Sequence, residues 1–224
     1  MIRVYKDWDF LETQYVRQKT IKRQITLHHT VSGDGVAGDV AWWQSRSERI
    51  ATSYIIDRQG QLHKCFNDDF WAYHLGCKQS HFASAGKPYK KLDPHNIGIE
   101  LDSWGALARH TDGKFYPVTF AAHKPIPNLK CKPVANIYEY CGNAKYRGFQ
   151  YYERYTTAQI DTLKHLLAYL MAKHGIKANY GDDIWGVCGR ALAGQEGVFS
   201  HSSFRPDKSD AHPQIELVNM LKQL

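Results

Sequence analysis

The sequence predicts an α/β domain with a central mixed β-sheet flanked by helices. Three observations carry that reading. Residues 97–102, IGIELD, form a short, almost wholly apolar run of the kind found in a strand buried mid-sheet. Ile160, Leu163, Leu166, Leu167, Leu170 and Met171 fall on one stripe at helical spacing. Strand-like and helix-like segments alternate along the chain, which argues for layers rather than a bundle or a sandwich. The 224 residues are 43% hydrophobic and 23% charged, enough apolar material for one domain spanning 1–224 with a real core.

In chain order, residues 23–28, RQITLH, alternate polar and apolar and read as a strand that delivers His28 at its end. Residues 39–50, DVAWWQSRSERI, read as a helix with Asp39 as N-cap. A hairpin follows, with strands at 54–57 and 61–66 and Gln59-Gly60 in the turn. The strand at 97–102 carries one carboxylate, Glu100, where an apolar residue would be cheaper. The clearest helix spans 157–174, with Thr156 and Gln159 as a capping box and Gly175 as its stop. A last helix begins at Pro213, with Ile215, Val218, Leu221 and Leu224 on its inner face.

Between Ser103 and Tyr155 the texture changes to Pro-, Gly- and Tyr-rich sequence with little periodicity, which reads as a loop-rich insertion at 103–155. Tyr146, Tyr151, Tyr152 and Tyr155 either form a flat aromatic surface for a sugar or peptide, or pack the insertion onto the core.

Composition removes several classes of function. No apolar run reaches the roughly 18 residues of a membrane span, so no membrane insertion is expected. The first twenty residues interleave charges with aromatics and lack an apolar signal core, so synthesis in the cytoplasm without a cleaved leader is the expectation. Five scattered cysteines without a CxxC pair exclude a disulfide scaffold and a four-cysteine zinc site; reduced thiols are expected, with Cys131 and Cys141 able to bridge across a loop. The net charge of +7 suits an anionic partner without naming one: nucleic acid, an acidic membrane surface and bacterial cell wall all qualify. Nucleic acid is not expected, because the basic residues are spread thinly and no aromatic-flanked basic motif is present. Nothing specifies an oligomer, and a monomer is slightly favoured.

Of the twelve histidines, those at strand ends near carboxylates matter most: His28-His29 after the first strand, and the segment His201 to Asp210, HSSFRPDKSD. Two histidines and one carboxylate are a ligand set for catalytic zinc with a fourth position for water, and His28, His201 and Asp210 can supply it. Glu100 is the candidate proton carrier. Lys208 is a candidate for stabilising the oxyanion on a carbonyl under attack. His29 is expected to face away from His28, because consecutive strand residues point to opposite faces.

Four segments in order resemble the zinc-dependent N-acetylmuramoyl-L-alanine amidases, the family shared by phage lysozyme-type amidases and peptidoglycan recognition proteins. They are QITLHHT with ATSYIIDRQGQLHKC, then DFWAYHLG, PHNIGIEL and SHSSFRPDKSD. The resemblance implies a peptidoglycan recognition protein/amidase-like fold, zinc as cofactor, and His28, His201 and Asp210 as its ligands. It implies Glu100 and Lys208 as catalytic residues, and it suggests His74 and Trp71 as substrate-binding cleft walls. Two departures stand out. The D-P-G expected after the third ligand is Asp210-Ala211-His212-Pro213, which leaves Asp207 and His212 as rival ligands. Where some branches carry a catalytic tyrosine, this chain has Thr52, which shifts weight to Glu100.

The implied activity is hydrolysis of the amide between N-acetylmuramic acid and L-alanine in peptidoglycan, as a phage endolysin acting on the wall after release by a lysis system. The alternatives are a non-catalytic peptidoglycan-binding module, a cytoplasmic muropeptide-recycling amidase and, more remotely, a metal nuclease using His95-Asn96.

Overall fold

A computed structural model describes residues 3–33, 35–140 and 145–224. Its main sheet is built from β1 (Lys6–Asp7), β2 (Gln24–His29), β3 (Tyr54–Ile56), β4 (Leu62–Lys64), β5 (Asn96–Leu101) and β11 (Gly197–Ser200). The spatial order is β1-β4-β3-β5-β2-β11. Strands β3, β5, β2 and β11 run parallel, while β3 and β4 form the antiparallel hairpin, so the sheet is mixed as the sequence predicts.

The period-2 alternation of the strands sorts the residues between two faces. Ile25 and Leu27 of β2, Tyr54 and Ile56 of β3, and Ile97, Ile99 and Leu101 of β5 all enter one apolar cluster. Helix α3 (Thr157–His174) closes that side with Leu163, Leu166, Leu167 and Leu170, each at 0% exposure. Burying each leucine is worth about 1.5–3 kcal/mol. The capping box forms as expected: the Gln159 N–H donates to Thr156 Oγ1 at 3.1 Å, and the Thr156 N–H to Gln159 Oε1 at 3.0 Å. Gly175 ends the helix in the left-handed region at φ 68°.

The opposite face packs Ile55 against α1 (Val36–Gln44) through Val36, Val40 and Trp43. Helix α1 is shifted from the expected 39–50. It starts after Gly35, places Asp39 inside its first turn, and ends before Arg49, whose φ of 56° is non-helical. The burial of residues 36, 40 and 43 sets the helix, and the polar run from Ser45 has nothing to bury. Gly60 turns the hairpin at φ 78°, and a Cβ there would stand 2.6 Å from the Ala158 carbonyl oxygen.

The remaining elements are α2 (Gln79–Ser84), α4 (Gly189–Leu192) and α5 (Ile215–Leu221). Helix α5 differs from its expected face: Leu217, Met220 and Leu221 are buried, whereas Ile215 is 49% exposed. Pro213 lies before the Gln214 cap, so the helix begins later and rotates its stripe.

The stretch 103–155 is not the loop-rich excursion that its composition suggests. It forms a second, antiparallel sheet of β6 (Ala106–Arg109), β7 (Phe115–Ala121), β8 (Lys124–Pro127), β9 (Ile137–Glu139) and β10 (Tyr151–Glu153), in the order β8-β7-β6-β10-β9. The strands are short and interrupted by proline, and several are half-exposed, so no apolar run marks them. Tyr146, Tyr152 and Tyr155 are buried, so they pack the insertion instead of forming a flat binding surface.

Arg58 joins the two sheets. Its guanidinium sits 2.6 Å from Asp102 at the end of β5 and 2.8 Å from Glu153 in β10. Cys65, Cys77, Cys131 and Cys188 are free thiols, while Cys141 lies outside the described residues. No described helix is long and apolar enough to cross a membrane.

Candidate metal centre and active site

The three parallel strands β11, β2 and β5 end side by side, and the candidate site lies just beyond their carboxyl ends, where open α/β sheets bind ligands. His28 occupies the penultimate position of β2, and His201 follows β11 directly. Asp210 is returned to them by the 202–210 loop. Ser202 pins both ends of that loop: its N–H donates to the Asp210 carbonyl at 3.1 Å, and its Oγ to the Lys208 carbonyl at 3.0 Å.

The three side chains point single atoms at one another. His28 Nδ1 is 3.0 Å from His201 Nδ1 and 3.1 Å from Asp210 Oδ2, and His201 Nδ1 is 2.9 Å from Asp210 Oδ2. All three residues are buried, with exposures of 3%, 4% and 9%. Both outer nitrogens are engaged. His201 Nε2 faces the Leu75 carbonyl at 2.9 Å, so it carries the hydrogen and leaves a lone pair on Nδ1. His28 Nε2 lies 2.9 Å from His74 Nδ1, and the two rings share one hydrogen bond there.

Burial, reinforced by His201, pushes the His28 pKa down to about 3, so the ring is uncharged at neutral pH. Burial alone would raise the Asp210 pKa, but His201 and His28 hold it well below the usual carboxylate range. Two imidazole Nδ1 atoms and a carboxylate oxygen therefore converge on one point. That donor set fits a cation, and the separations approach the roughly 3.3 Å edge of a tetrahedron with bonds of about 2 Å.

Glu100 is the register partner of His28 on β5 and leaves the same face of the sheet. Burial, then the nearby Asp210 and Asp39, pushes its pKa well above the ordinary carboxylate value. Its Oε2 is buried, with no hydrogen-bond partner among the described residues. Glu100, Lys208, His74, Trp42 and the three candidate ligands line a cavity of about 220 Å³. This places an unpaired carboxyl and a lysine beside the convergent donors.

The chain matches the sequence model of the N-acetylmuramoyl-L-alanine amidases over residues 17–213, most of its length. The chain belongs to the N-acetylmuramoyl-L-alanine amidase family.

The amidase is thus a hydrolase of a peptidoglycan amide bond. No curated protein sequence matches it. Its fold is similar to that of the N-acetylmuramoyl-L-alanine amidase LysC from Clostridium intestinale, at 10% identity and a TM-score of 0.52, covering 100% of this chain and 97% of that one. It is similar to a mutant endolysin from Bacillus subtilis at 12% identity and a TM-score of 0.51, covering 100% and 98%. It is also similar to AmiD from E. coli, in complex with anhydro-N-acetylmuramic acid-L-Ala-D-γ-Glu-L-Lys, at 15% identity and a TM-score of 0.53, covering 93% of this chain and 59% of that one.

Other candidates in the amidase fall away from the cluster. Trp71 does not line the cavity; it is 6% exposed, with its backbone bridged to Val16. Asp207 turns outward to Arg205 at 2.6 Å. His212 is fully buried and stacks on Tyr155 and Tyr152 at 4.2 and 4.4 Å, so neither rival third ligand reaches His28. His29 faces the other side of the sheet, 3.0 Å from the Tyr155 hydroxyl. Thr52 is buried and donates to the Tyr54 carbonyl at 3.1 Å. His95 sits at the opposite end of β5 from Glu100, with its ring against the Ile21 carbonyl at 2.8 Å, so the nuclease reading finds no site there.

Sequence reasoning missed Asp93. One of its carboxylate oxygens accepts the N–H groups of His74 at 2.9 Å and Leu75 at 3.0 Å. It thereby holds both outer partners of the candidate ligand histidines. The available signal was an Asp-Pro pair just before a strand that carries a catalytic candidate.

A second His/Asp group among the described residues, Asp68, Asp69 and His174, already contains a cation. Lys173 Nζ lies 2.7 Å from Asp68 and 3.2 Å from Asp69.

Proposed function

We propose that the amidase is a zinc enzyme that cleaves the bond between the lactyl group of N-acetylmuramic acid and L-alanine, with His28, His201 and Asp210 as ligands. The observation that carries this is the convergence of two imidazole nitrogens and a carboxylate oxygen at 2.9–3.1 Å, with both outer nitrogens occupied. Zinc bound there supplies Lewis acidity and lowers the pKa of water from about 15.7 towards 7.

The chain's own residues supply the remaining steps. Glu100, whose burial makes its carboxylate a stronger base than an exposed one, takes the proton of the attacking water in its ionised form and returns it to the alanine nitrogen as the amide breaks. Lys208, at the cavity edge, offsets the negative charge that develops on the lactyl oxygen. His74 orients the His28 ring through their 2.9 Å contact and presents its buried Nε2, without a partner among the described residues, at the cavity wall. The muramoyl-peptide ligand of AmiD supports this substrate class.

The setting we propose is that of an endolysin acting on the wall after release by a phage lysis system. The charge of +7, suited to an anionic wall, and the fold shared with an endolysin support it. The test is metal analysis of the purified protein and of His201→Ala. One zinc per chain in the first and a large loss in the second is the expected result, and full zinc retention by the variant contradicts the ligand assignment.

A further inference from the structure

Two larger cavities flank the metal centre. One, of about 500 Å³, lies between the loop after β2 and helix α1, and Glu100 lines it. The other, of about 550 Å³, lies between the second sheet and the 206–209 loop, and Lys208 lines it. Val31 borders both. It is 59% exposed, holds φ at 56°, and is fixed there by donation from its N–H to the Ser103 carbonyl at 2.8 Å. A β-branched residue in the left-handed region is strained, and such strain gathers at ligand sites.

The direction of the substrate follows from which catalytic group lines which cavity. The scissile amide has an amine half, the start of the peptide, and an acyl half, joined through the lactyl group to the sugar. Glu100 protonates the departing amine, so the peptide leaves on the side of α1. Lys208 faces the acyl oxygen, so the sugar extends towards the second sheet. The wall there suits a sugar. Trp104, Phe120 and Phe149 line it, and Phe120 is 63% exposed, an aromatic ring that the core does not use. The apolar C–H face of a pyranose packs on such rings while its hydroxyls stay in water. Arg147 also lines the cavity and ties its two sides by donating to the Ser202 carbonyl at 3.1 Å and the Pro206 carbonyl at 3.3 Å; its Nε has no acceptor among the described residues.

We propose that the second sheet is the saccharide subsite of the amidase, with Trp104, Phe120 and Phe149 packing an N-acetylated sugar ring on the acyl side of the scissile bond. This rests on the amidase reading above.

The test is calorimetric titration of the zinc-loaded protein with peptide-free N-acetylglucosaminyl-N-acetylmuramic acid and, separately, with sugar-free stem peptide, alongside muropeptide turnover. Phe120→Ala should weaken the disaccharide by about fivefold relative to the stem peptide, and Phe120→Trp should restore it. Because Phe120 is exposed, both variants should melt with the wild type. Normal muropeptide turnover without disaccharide binding overturns the subsite alone. An equal disaccharide affinity in Phe120→Ala, or a loss confined to the stem peptide, overturns it too. Absence of binding and of turnover together removes the amidase reading with it.

Discussion

His28 on β2 and Glu100 on β5 are direct register partners, and their side chains leave the same face of the sheet at the carboxyl ends of two parallel strands. The proposed ligand and the proposed proton carrier are thus set side by side by backbone pairing. Glu100→Gln keeps the shape and removes the proton. It should lower kcat by about 10²–10⁴ while zinc content stays at the wild-type level, read from turnover and metal analysis on one preparation.

Asp93 acts at a distance, by holding the backbone of His74 and Leu75. Asp93→Ala frees both outer partners of the proposed ligand histidines. Zinc affinity should fall by about 10–100-fold in a competition titration with a chromophoric chelator, and excess zinc should recover activity.

Gly98 lies on β5 where Thr52 and His74 close in. A Cβ there would stand 2.6 Å from Thr52 Cγ2 and 3.1 Å from His74 Cγ. Gly98→Ala should lose about 1–3 kcal/mol in urea unfolding. It should also weaken zinc binding, because His74 supports His28.

Lys22 is 3% exposed and donates to the carbonyls of Phe70 at 2.6 Å and Pro94 at 3.0 Å. Burial pushes its pKa down from 10.5 to about 8, against the pull of Asp68 and Asp69. Between those values the unfolded chain holds more protons than the fold, so this residue's contribution to stability rises with pH. Relative to Lys22→Met, the wild type should gain about 1.5 kcal/mol between pH 8 and 9.5, measured by urea unfolding of both proteins.

Arg58 is the charge partner of Asp102, whose side chain is fully buried. Arg58→Ala leaves that carboxylate and Glu153 without their guanidinium and should destabilise the fold by about 3–5 kcal/mol in thermal or urea unfolding.

Much of this was legible in the sequence because it rests on local pattern. The alternation in QITLHH and NIGIEL gives one aliphatic face and delivers His28 and Glu100 to the other. The leucine stripe and Thr156–Gln159 box of α3 are equally local. The second sheet was hidden because its strands are short, proline-containing and half-exposed, so neither period nor apolar run announces them. Helix α1 was misplaced because Trp42 is 49% exposed while Val36, outside the expected span, is buried. Asp93 and Ser202 escaped because both act through backbone hydrogen bonds made across the fold, which carry no sequence periodicity.

The most direct test of the account is mass spectrometry of purified peptidoglycan digested with the protein, with and without a zinc chelator. The account predicts release of peptides with a free L-alanine amino terminus and no new reducing sugar ends, lost with chelator and restored by zinc. Release that persists after complete removal of zinc, or cleavage at a glycosidic or peptide–peptide bond instead, would contradict it.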